Sequence, residues 1–160
     1  MRAMRKERDR MPAAACEALL GRAPVLRLGI ADADGPYVVP VNFGYEDGRL
    51  YVHGPLEGRR IDAVRADPRV CFEVDEGEVV RAERPCGFTA RFASVIGYGM
   101  ARLLESPDDR RRGLDAIMRH YDGPTGDMPE ETVARTSVME IVIESMDGKW
   151  HLVAPGSGGA

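Results

Sequence analysis

A chain of 160 residues, 44% apolar and 30% charged, is long enough for one domain with a full core. Its net charge of −4 argues against nucleic acid as the main partner, since no basic excess is present to neutralise phosphates along a duplex. No apolar run approaches bilayer-spanning length and the start lacks a signal-peptide core, so a cytoplasmic setting without membrane contact is expected.

Residues 1–11 hold Arg2, Arg5, Lys6, Arg8 and Arg10, interrupted by Glu7 and Asp9, and read as a flexible, solvated terminus. Pro12 to Gly21 has the pattern of a short helix, with Pro12 at a first-turn position and Gly21 as its stop. Val25 to Ile30 is a first strand, and Asp32-Ala33-Asp34-Gly35 is a turn signal. Tyr37 to Tyr45 reads as one strand, turned at Asp47-Gly48 into Arg49 to His53. Arg59 and Arg60 open a helix striped by Ile61 and Val64, which Asp67-Pro68 stops. Val70, Phe72 and Val74 alternate with Cys71 and Glu73 as a half-buried strand.

Glu76 to Gly87 is polar and glycine-bearing, hence a loop, with short strand character at Val79-Val80. Phe88 to Glu105 is a long strand pattern, and Gly97 and Gly99 inside it point to a bulge, a bend or a close approach. Ser106 caps a helix with Pro107 at its first position and Leu114, Ile117, Met118 and Tyr121 at helical spacing. Ser137 to Ser145 is the last strand, followed by Asp147-Gly148 and Lys149-Trp150-His151. Residues 154–160 have little to bury and read as a disordered tail. About six strands joined mostly as hairpins predict an α+β, mainly β, antiparallel barrel over residues 12–153 with flanking helices.

Three cysteines, Cys16, Cys71 and Cys86, form no C-x-x-C pair and no disulfide framework. Cys71 reads as a small buried hydrophobe, and Cys86 has no activating base beside it. His53, His120 and His151 lack ligand spacing, so no metal site is expected; His120 at a helix end reads as structural. Trp150 suits either a ring stack or an interface plug. No set of residues has the pattern of an acid/base couple or a catalytic triad.

The most informative stretch is His53-Gly54, a short loop, then Arg59-Arg60 at a helix start. Free N–H groups at a helix N-terminus carry partial positive charge, and guanidinium adds forked donors that match phosphate oxygens. From spacing alone this is either an anion site or a solvated helix face.

The ordered set Val39-Pro40-Val41-Asn42-Phe43, Leu50-Tyr51-Val52-His53-Gly54, Gly58-Arg59-Arg60, Asp67-Pro68-Arg69-Val70-Cys71-Phe72 and Ser94-Val95-Ile96-Gly97-Tyr98-Gly99 resembles the pyridoxamine-phosphate-oxidase-like flavoproteins, nearest the nitroimidazole-resistance branch. The resemblance implies a split β-barrel that forms a homodimer with FMN at the subunit interface. On the matching positions it implies that Arg59 and Arg60 hold the FMN phosphate. Pro40, Val41, Asn42 and Phe43 line the isoalloxazine ring, and His53 and Gly54 flank the flavin. Ser94 and Val95 approach it, commonly from the neighbouring subunit. The basic first strand and arginine-rich end of true pyridoxamine phosphate oxidases are missing here, which argues against vitamin B6 oxidation. The implied activity is an FMN-dependent oxidoreductase delivering electrons to a small planar acceptor, a nitro compound or quinone. The alternative is a barrel that sequesters FMN, a deazaflavin or haem without turnover.

Overall fold

The computed structural model describes residues 7–151. The tail expected at 154–160, like residues 1–6, lies outside the described residues. In chain order the elements are α1 (Ala13–Arg22), β1 (Leu26–Asp32), β2 (Gly35–Val41), β3 (Phe43–Glu46) and β4 (Arg49–Gly54). There follow α2 (Arg59–Ala66), β5 (Arg69–Val80), β6 (Thr89–Leu103), α3 (Pro107–His120), α4 (Glu130–Ala134) and β7 (Ser137–His151).

All seven strands belong to one antiparallel sheet of order β2-β1-β5-β6-β7-β4-β3. The stretch Tyr37 to Tyr45, expected as a single strand, is two strands broken at Asn42, and they occupy opposite margins of the sheet. One residue separates those margins in sequence, so the sheet must curl until its two edges meet. No ladder hydrogen bonds join β2 to β3, which leaves the barrel split along that seam. This is the mainly β antiparallel barrel that the hairpin pattern predicts, in the split form that the family resemblance implies.

Tyr121 holds the seam. Its hydroxyl accepts from the Phe43 backbone N–H (3.2 Å) and the Asn42 side-chain amide (3.3 Å), and donates to the Pro24 carbonyl (2.9 Å). His120 beside it contacts the Ala23 carbonyl at 2.8 Å and packs on Phe43, as expected of a structural histidine. The barrel interior is filled by alternating inward residues such as Leu26 and Leu28 of β1, Phe43 of β3, Phe72 and Val74 of β5, and Val95 of β6. Cys16, Leu19 and Leu20 of α1 close one mouth. A second cluster lies outside the barrel wall, where Leu114 and Ile117 of α3 and Val133 of α4 cover Tyr51 and Val138.

Several local boundaries differ from the pattern reading. Helix α1 runs through Gly21 to Arg22. Strand β5 continues to Val80 across much of the expected loop, and β7 runs on through Asp147-Gly148 to His151. For both strands, long-range pairing with β6 overrides the local turn signal, since β6 holds both neighbours over most of its length. The glycines of β6 act within the fold: a Cβ at Gly97 would strike the Phe72 ring, and the β6–β7 register slips between Tyr98 and Gly99. Ser106 caps α3 as expected, its side chain accepting from the Asp109 N–H at 3.1 Å.

Cys71 is not buried; it shares the outward face of β5 and is only half-covered. Glu7–Met11, expected to be flexible, is docked. The Arg10 backbone forms an isolated antiparallel β-bridge with that of Lys149, the Met11 N–H donates to the Gly148 carbonyl at 2.8 Å, and Met11 is buried against Cys16. Trp150 is half-buried against the same core.

Candidate functional site

Strand β4 ends at His53-Gly54, pinned to β7 opposite Val138 and Ser137. The Ser137 hydroxyl donates to the carbonyls of Gly54 (3.1 Å) and Pro55 (2.7 Å), which fixes the turn of the chain out of the barrel. Four residues later α2 begins, with no side-chain cap at Gly58, so its first N–H groups have no side-chain acceptor. Ala63 and Val64 anchor this helix to the core and set the direction in which Arg59 and Arg60 leave it.

The two arginines are held differently. Arg59 forks onto Asp32 of β1 at 2.6 and 2.9 Å, and its guanidinium lies 4.6 Å over the Tyr37 ring. That hydrogen bonding holds the Asp32 carboxyl below its ordinary range and raises Arg59 further. Arg60 turns the other way and is half-buried, and its one polar partner among the described residues is the His53 carbonyl at 3.0 Å. Burial lowers its pKa, with the neighbouring Tyr37 acting in the opposite direction. Among the described residues Arg60 has no carboxylate partner, although a desolvated cation is costly unless it is paired.

Gly54 makes room for this guanidinium, because a Cβ there would collide with Arg60 Nη2. The His53 ring is at the surface; partial enclosure and then the Arg60 charge hold it below its ordinary imidazole value of 6.5. Strand end, glycine, uncovered helix start and unpaired guanidinium therefore meet at one recess. It fits a compact dianion such as a phosphate monoester.

The other residues named from sequence lie elsewhere. Pro40 and Asn42 are exposed beside the seam, while the side chains of Val41 and Phe43 point into the core and leave only backbone to a ligand. Val95 is likewise a core residue, and Ser94 is half-exposed on the outward face. Ser94 is nine residues from Leu103 along β6, roughly 30 Å of strand, whereas His53 is level with the Leu103 end. A single chain thus does not bring Ser94 to the arginines.

Sequence reasoning missed three participants. Asp32 and Tyr37, which hold Arg59, come from a distant hairpin, and only their place in the fold reveals them. Near the recess a cleft of about 310 Å³ opens between Leu56, Val64 and Arg65 on one side and Ala101–Glu105, Arg110 and Ser137 on the other. Nothing in the local sequence marks it, since its walls come from four elements.

Residues 12–150 match the family model for pyridoxamine 5'-phosphate oxidase. The chain belongs to the pyridoxamine 5'-phosphate oxidase family. It is 30% identical to a candidate 5-nitroimidazole antibiotic resistance protein of Bacteroides thetaiotaomicron, covering 88% of this chain and 85% of that one with a TM-score of 0.79. A flavocytochrome of Azotobacter vinelandii shares the fold at 22% identity, with 96% and 74% of the two chains covered and a TM-score of 0.78. An uncharacterized Rhizobium meliloti protein is 27% identical over 80 residues, 50% of this chain; the match spans about half of that relative's length (52%).

Proposed function

We propose that this protein binds FMN and acts as an oxidoreductase, delivering electrons from the reduced flavin to a small planar acceptor such as a nitro compound or quinone. The observation that carries the reading is the half-buried, carboxylate-free guanidinium of Arg60 beside Gly54 and the start of α2. A phosphate there would supply the missing counter-charge, with Arg59 able to swing from Asp32 to join it. The likeness to a candidate nitroimidazole resistance protein and to a flavocytochrome supports a flavin and a nitro-type acceptor. FMN, when bound, supplies the two-electron chemistry. This chain's residues bind and orient it, which accounts for the lack of an acid/base couple.

The protein is proposed to work as a homodimer: the resemblance implies that Ser94 approaches the flavin, and one held at Arg60 lies too far along β6 for Ser94 of the same chain. Flavin binding without turnover, or haem binding through His53, is the competing reading; the flavocytochrome likeness favours testing it directly. The visible spectrum of freshly purified protein decides. A flavin spectrum, with FMN released on heating at about one per subunit, supports the proposal. A Soret band moves the site to His53, and a colourless protein that ignores added FMN overturns the flavin reading. Oxidation of a nicotinamide with nitro or quinone acceptors then separates turnover from storage.

A further inference from the structure

Strands β5 and β6 continue well past the barrel as a two-stranded ribbon, from Glu76↔Ala93 to Val80↔Thr89, tipped by the turn at Pro85–Gly87. Side chains from Asp75 to Glu78 are exposed on one strand, and Ala90 and Arg91 on the other. Near its end Val79 is 66% exposed and Phe88 is 50% exposed, in a ribbon of a kind that is marginal in water by itself. Behind the ribbon, the outward face of the sheet presents Ile96, Tyr98 and Met100 of β6 with Val142 of β7, all exposed and covered by no helix.

We propose that the β5–β6 ribbon reaches across onto a second copy of this chain and seats Val79 and Phe88 in that copy's cleft between α2 and the end of β6. The proposal rests on the homodimer reading above and adds to it which residues each copy contributes to the other.

The charges on the outward face select this arrangement. On the ribbon side of Tyr98, Glu73 and Asp75 share a single guanidinium, Arg27, and Asp147 lies on the same side, 3.8 Å from Arg10. On the far side the ratio is reversed: Arg49 and Arg102 share a single carboxylate, Glu140, with Arg69 nearby on Asp67. A twofold axis parallel to β6 would set acid against acid and base against base. An axis crossing β6 near Tyr98 sets the acid-rich end of each copy on the arginine-rich end of the other.

The register then follows by counting. Ser94 and Arg102 each lie four residues from Tyr98 and come together across the axis, and Phe92 falls over Leu104. The ribbon beyond Phe92 overshoots the partner's strand end and meets the cleft, whose walls include the apolar side chains of Leu56, Val64, Leu104 and Val138. Two exposed apolar side chains on an arm and an open, partly apolar cleft at the matching distance are mutually satisfied. The same crossing brings Ser94 toward the second copy's His53–Arg60 end.

Cys86, exposed at the ribbon tip, provides the test. In a C71S background, Leu56→Cys places a thiol on the exposed rim of the cleft, at the opposite end of the same chain. Treatment with a short bis-maleimide should give a covalent dimer on a denaturing gel. C71S alone and the L56C/C71S/C86S variant should give none. Size-exclusion chromatography of the untreated variants supplies the second readout. A dimer by chromatography without the cross-link overturns the ribbon placement and leaves the homodimer standing. A monomer at micromolar concentration overturns both. As an independent check, Phe88→Asp should weaken dimerisation about tenfold or more; unchanged association also overturns the placement.

Discussion

Removing the Arg60 guanidinium tests the phosphate site most directly, because the two adjacent arginines make opposite predictions. Arg60 has one hydrogen bond, to a carbonyl, and no carboxylate to compete for it, so its remaining donors are free for a ligand. Charge-assisted hydrogen bonds contribute roughly 1.5–3 kcal/mol, so Arg60→Ala should weaken FMN binding by a factor of about 10–150. Arg59 is already forked onto Asp32 in an exposed setting and must give up that pair to help. The exchange nets little for so exposed a pair, so Arg59→Ala should cost about fivefold or less. The double alanine variant should not retain FMN. Stability should hardly change in Arg60→Ala, because the lost hydrogen bond is offset by no longer burying a charge. The assay is titration of apoprotein into FMN, followed by flavin fluorescence quenching, with urea unfolding as the fold control. Arg60→Ala binding within twofold of the parent, or a larger loss in Arg59→Ala, would refute the assignment.

Gly54→Ala should displace the Arg60 guanidinium, because its Cβ takes that space, and a flexible side-chain end yields more readily than backbone. FMN affinity should fall about as far as in Arg60→Ala while the unfolding midpoint moves little. His53 should titrate below 6.5 by NMR, and Arg60→Ala should raise its midpoint by removing the neighbouring cation. Because its folded pKa is depressed, the unfolded chain takes up the proton first. His53's stabilising contribution is thus present above the ordinary imidazole value and is lost as pH falls through it to the folded value. His53→Gln should flatten that part of the stability–pH curve, which urea unfolding at stepped pH will check. Tyr121→Phe should destabilise by about 1–3 kcal/mol by stripping the seam of its shared hydroxyl, seen as a lower urea midpoint with the cofactor-free spectrum unchanged.

The features legible in the sequence are those with a local cause. Asp47-Gly48 can turn a hairpin wherever it stands, and both residues adopt positive φ here. Ser106-Pro107 starts a helix by capping and pre-set φ, and the glycine, loop and paired arginines meet at the start of α2, where the anion site is proposed. The resemblance carried by the ordered motifs extended that reading to the split barrel, which the closed-up but unpaired seam displays.

What only the tertiary structure decided is everything that depends on partners distant in sequence. The single strand expected at Tyr37 to Tyr45 breaks at Asn42 because its halves pair with β1 and β4 at opposite margins, an outcome that alternation along one segment cannot encode. The length of β5 and β7 follows from the continuous ladder β6 offers each of them. Arg59 and Arg60 look equivalent in sequence. They differ because Asp32, held 27 residues earlier at the end of β1, claims one and leaves the other unpaired. Side-chain periodicity reports which face a residue occupies; Coulombic pairing acts through space, and space is arranged only when the sheet has curled.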